Sequence, residues 1–139
     1  MSEPMQDPTP APPPAAQSVA VPSTSALADN IAAALAYITI IPAIVFLVLE
    51  PYNRIPLVRF HSFQSIAFCV ATFILQIGLM IVEGFLHFIP LSFIVFSAVH
   101  LLLGIGLFAA WLIAILKAYK GEFYKLPVIG DFAEKKARG

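Results

Sequence analysis

Two polar side chains, Gln76 and His100, stand deep inside stretches that are otherwise apolar. A histidine whose ordinary pKa lies near neutrality can pass a proton, and an ionisable group within a membrane span is a functional candidate by default. Gln76 lies seven residues before Glu83 and His100 nine after Leu91, about 10 and 13 Å along a helix, so antiparallel neighbours bring the two nearly level. One hydrogen bond between them satisfies both, a contact that membrane helix pairs gain only ~0.6–2 kcal/mol from. A structural pair is therefore the main expectation. A small transporter or proton-linked carrier using His100 and Gln76 is the alternative, opposed by the lack of Asp, Glu, Lys or Arg beside them in the spans.

A second polar pair, His61 and Gln64, is spaced to share one helix face. Its two readings are a vestibule lining and, more simply, snorkelling to lipid head groups. The lone Cys69 offers no disulfide or metal framework and reads as a buried, inert thiol. No nucleophile with its base, no metal-ligand cluster and no phosphate loop is present in sequence, so neither catalytic residues, nor a metal, nor a cofactor is expected.

The elements that position these residues are apolar blocks free of charge: 31–49, 60–82 and 84–116. Each is long enough to cross ~30 Å of hydrocarbon as a helix. The third, at 33 residues, overshoots one span yet has no polar loop for two, so an interfacial turn near Pro90 with the helix from about Leu91 to Leu116 is expected. The fold class is thus all-α, a polytopic membrane protein of three transmembrane helices. A four-span version is disfavoured because it separates Arg54 and Arg59 from the other bases. Pro42 predicts a kink in the first helix. Gly106, Ala110 and Ala114 form a small-residue stripe for close helix packing, and so thin a bundle suggests self-association or another membrane subunit as partner.

Residues 1–26, rich in Pro and Ala, read as a disordered tail. Residues 27–120 make the membrane domain and 121–139 a basic interfacial tail. All eight Lys and Arg fall in 54–59 and 117–138. Three crossings put every base on one side, which the positive-inside rule names cytoplasmic, with the amino terminus outside. Arg54, Arg59, Lys117 and Lys120, together with His61 and Gln64, are the expected contacts to anionic head groups or a partner. Nucleic-acid binding is not expected from so few bases. Gly121 is the expected helix terminator, and Asp131 and Glu134 mark a last short helix with Lys135, Lys136 and Arg138 toward its end.

The run Val58-Arg-Phe-His-Ser-Phe-Gln64, with Lys117-Ala-Tyr-Lys-Gly-Glu-Phe-Tyr-Lys-Leu-Pro-Val-Ile-Gly-Asp131 after the last block, resembles a bacterial family of small membrane proteins of unknown function grouped with the Tic-type chloroplast protein-import component. The resemblance covers about residues 27–136. It implies a multi-pass protein of the bacterial plasma membrane and a role as a membrane assembly or protein-translocation-associated subunit. The plant component is similar in being a small polytopic protein, though with four spans.

Overall fold

The computed structural model describes residues 24–139, with the side chains of 24, 26 and 27 left aside. Five α-helices follow one another: α1 (Thr24–Leu35), α2 (Ile40–Val48), α3 (Pro56–Leu86), α4 (Ser92–Tyr119) and α5 (Ile129–Arg138), with a 3-10 turn at Tyr52–Arg54 between α2 and α3. No strand occurs among the described residues.

Two of these helices are long and apolar enough to cross a membrane. α3 has 31 residues and α4 has 28, which at ~1.5 Å each exceed the ~30 Å hydrocarbon layer. Ile55 is extended and Pro56 opens α3, where its missing N–H costs nothing and its fixed φ suits the first turn. The expected turn near Pro90 is present: α3 ends at Leu86, α4 begins at Ser92, and Leu91 between them holds φ 67. The third apolar block therefore supplies one helix rather than two.

The first block departs from expectation. It is not one span over 31–49 but two short helices that double back. Pro42 has no N–H to give the carbonyl of Ile38, and its ring crowds that carbonyl. The expected kink becomes a full break, with α1 tightening through Tyr37 N–H to Ala34 O (3.1 Å) and Ile38 N–H to Leu35 O (3.0 Å) before Thr39 turns extended. α1 lies against the last turns of α4, while α2 returns along α3 and lays Phe46 on Tyr52 with ring centroids 5.1 Å apart.

The start of α1 consequently sits where α4 ends. Gly121 (φ 76) closes α4 in a Schellman motif, Glu122 N–H to Lys117 O (3.0 Å) and Gly121 N–H to Ala118 O (2.9 Å). A Cβ on Gly121 would stand 2.9 Å from the side-chain oxygen of Asn30. The two ends of the domain, expected on opposite sides, lie side by side in the fold: Asn30 and Gly121 are neighbours. The proline-rich tail lies outside the described residues except for 24–26, which begin α1.

After Gly121 the chain runs extended back along α3 before α5 packs antiparallel on that helix. Gly130 makes the reversal possible, since a Cβ there would lie 2.6 Å from Lys125 Cα. The small core collects at this shared end, where Ala32, Ala33, Val58, Ala114 and Ala118 are buried. Beyond it the long helices are bare: only 6% of the most apolar stretch of each is buried in the protein.

Candidate functional site

The buried polar chemistry of the molecule lies at that shared end. His61, Gln64 and Ser65 face one side of α3 at helical spacing, and Tyr37 enters from the break after α1. His61 and Gln64 are fully buried, which overturns the expectation of head-group contact. The physical reason is coverage: α1, the break after it and residues 122–126 enclose the first turns of α3.

Hydrogen bonds fix each group in turn. A carbonyl only accepts, so the 3.0 Å contact of His61 Nε2 with Glu122 O requires the proton on Nε2. Nδ1 then accepts from the Tyr37 hydroxyl at 3.1 Å, and that hydroxyl accepts from Gln64 Nε2 at 2.9 Å. The same amide nitrogen donates to Tyr124 O (3.1 Å), while Gln64 Oε1 accepts from Leu126 N–H (3.3 Å). Together these assign one amide orientation and a neutral imidazole. The break after α1 frees backbone carbonyls, and side chains of the long helices take them: Ser65 Oγ donates to Ala36 O (2.7 Å) and Trp111 Nε1 to Tyr37 O (2.8 Å). Edge-on packing of Tyr37 and Phe60 against the His61 ring fills the space around it.

Four chain segments, α3, α4, the break after α1 and residues 122–126, thus meet in one latch, and its Tyr37, Ser65 and Trp111 also border a groove beside it. The ion pairs around it are exposed. Arg54 bonds Glu50 at 2.7 Å and Lys117 bonds Glu122 at 2.5 Å, so two of the expected lipid contacts already hold protein partners. The Lys117 ammonium holds the Glu122 carboxyl below the usual carboxylate range, and Lys125 does the same for Glu134. Arg59 and Lys120 make no ion pair among the described residues.

No hydrogen bond joins Gln76 and His100. His100 Nδ1–H donates to Phe96 O of its own helix at 2.9 Å, a sufficient partner in an apolar setting. Gln76 instead lines a groove of about 390 Å³ between the α1–α2 break and α3, shared with Thr39, Thr72 and Trp111. Cys69 lies on the same groove and is exposed at the protein surface, not buried in protein. The small-residue stripe divides: Ala114 is buried against α1 with Ala110 beside it, whereas a Cβ on Gly106 would meet nothing within 4 Å. No three His, Cys, Asp or Glu among the described residues gather where they could hold a metal ion.

Tyr37, Ser65 and Trp111 were not singled out for this site by sequence. Tyr37 is the single tyrosine of its apolar block, the one signal that marked it. Trp111 reads as an interfacial belt residue, and its use as a donor follows from a break whose form the sequence does not reveal.

Residues 23–133 match the model of the magnetosome magnetite crystal formation protein family. The chain is 40% identical over 110 residues to a UPF0132 membrane protein of Methanocaldococcus jannaschii, covering 78% of this chain and 88% of that one. It is 37% identical over 114 residues to a UPF0132 membrane protein of Archaeoglobus fulgidus, covering 80% and 97%. These matches carry the resemblance read from the two motifs as far as membership of a small membrane protein family; none of them is described as an import component. No solved structure matches.

Proposed function

This chain belongs to the magnetosome magnetite crystal formation protein family, and from that premise we propose that it is a membrane-embedded assembly subunit rather than a carrier or an enzyme. The observation that carries the proposal is the outward apolar surface of α3 and α4, of which only 6% is buried along the most apolar stretches. A pair of helices has no interior of its own, so such faces are covered by lipid or by other helices. The latch supports the same reading, since the bonded Tyr37, His61, Gln64 and Ser65 side chains hold chain segments together.

The family description names magnetite crystal formation, and the archaeal relatives are described as membrane proteins. The outward apolar faces of α3 and α4 support a membrane-organising part in such a role. A translocation-associated subunit is the narrower variant suggested by the motif resemblance.

We also propose an orientation. All eight bases lie near the end that holds the latch, which the positive-inside rule assigns to the cytoplasm. The α1–α2 hairpin then dips into the inner leaflet and returns, so α1 begins on the cytoplasmic side and the protein crosses twice. Exposed Ile41, Ile44 and Val48 on α2 suit an acyl environment. Against the carrier alternative, a His100→Ala variant is expected to fold and to leave solute and proton flux unchanged in reconstituted vesicles.

Photo-crosslinkers at positions 76, 100 and 106, in the native membrane, test the assembly reading. A reproducible, identified membrane partner or a second copy is expected from 100 and 106. Lipid adducts alone at all three positions contradict it, and translocating precursors select the narrower variant.

A further inference from the structure

Beyond the latch, α5 forms one wall of a second trough, of about 520 Å³, along the opposite side of α3. Phe63, Ala67, Val70 and Ile74 line it on α3, and Phe132 and Lys136 on α5. Phe63 to Ile74 spans about 16 Å of helix, close to the depth of one leaflet of a ~30 Å hydrocarbon layer. α5 runs antiparallel to α3, because Ala137 and Arg138 share a neighbouring groove with Pro56 and Phe60. Lys136 therefore sits at the basic end of the trough and Phe132 one turn deeper.

Lys136 is also chemically free. Arg138 and Lys125 are both drawn to Glu134, and Lys125 also to Asp131, whereas no carboxylate among the described residues lies within ion-pair distance of Lys136. An apolar channel one leaflet deep, with an unpaired cation at its basic end, complements a single anionic lipid in shape and charge. We infer that this trough holds one acyl chain of an anionic glycerophospholipid, with its phosphate on Lys136. The site lies apart from the latch, on the basic half of the outward α3 face, and it assigns that part of the face to lipid rather than to another helix.

The full chain in phosphatidylcholine vesicles, doped with acyl-photoactivatable phosphatidylglycerol or the matched phosphatidylcholine, tests this by mapping adducts with mass spectrometry. Labelling of Phe63–Ile74 and Phe132 is expected to favour phosphatidylglycerol about five-fold, the factor that ~1 kcal/mol per base near a surface represents. Lys136→Ala is expected to abolish the preference. Lys135→Ala should keep it, and so should Lys136→Arg, which separates loss of charge from any disturbance of α5. Equal labelling by the two lipids, a preference that survives Lys136→Ala, or adducts joining the trough to a second copy would each overturn the inference.

Discussion

At the scale of single residues, the account rests on Gln64, which uses both ends of its amide on three partners from two segments. Gln64→Leu keeps the volume but orphans Leu126 N–H and Tyr124 O, and each such group costs about 1–3 kcal/mol. We expect a loss of about 3 kcal/mol in stability, read as a fall in the midpoint of thermal unfolding in detergent micelles. Tyr37→Phe should cost less, about 1–2 kcal/mol, since Gln64 keeps two of its bonds. The double variant should be less damaged than the sum, because the two share a hydrogen bond; additive losses would place them in separate environments. Sequence spacing put His61 and Gln64 on one face. It carried no information that Glu122 and Tyr124, some 60 positions later, supply the carbonyls they bond, because that pairing depends on how α4 and the chain after it fold back.

At the scale of elements, local chemistry marked the helix ends well and the first block poorly. Gly121 ends α4 as its type and the flanking lysines imply, and Gly121→Ala should cost about 2 kcal/mol for the left-handed backbone alone, with Asn30 also displaced. Pro42 marked a defect, but one proline equally serves a kink or a break. The choice went to a break because Ser65 and Trp111 satisfy the carbonyls it frees. For α5, the ion pairs from Lys125 to Glu134 and Asp131 fasten the helix to the segment before it, while the pair from Glu134 to Arg138 lies within the helix. Lys125 draws the Glu134 carboxyl down in the folded state, so its contribution is present above the ordinary carboxylate range and is lost as pH falls through the lowered value. Glu134→Gln should therefore weaken α5 at neutral pH, modestly for so exposed a pair, and match the parent in strong acid. Hydrogen exchange of α5 amides at the two pH values is the check; a difference that persists in acid would assign the effect to packing.

At the scale of the whole molecule, composition and the clustering of bases revealed the helical membrane class, and the family matches agree with it. What block length could not reveal was direction. Residues 31–49 are as apolar as a span, and a hairpin returning to its own side has the same composition as a crossing. The difference lies in non-local contacts, Asn30 against Gly121 and Tyr37 against His61 and Trp111. The central claim is therefore topological, and cysteine accessibility tests it most directly. In a Cys69→Ser background, single cysteines at Ala28, His87 and Gly139 would be exposed to an impermeant thiol reagent in sealed vesicles of both orientations. The account predicts that Ala28 and Gly139 react from one side and His87 from the other. Reaction of Ala28 from the same side as His87 would mean that the first block crosses, and would contradict it.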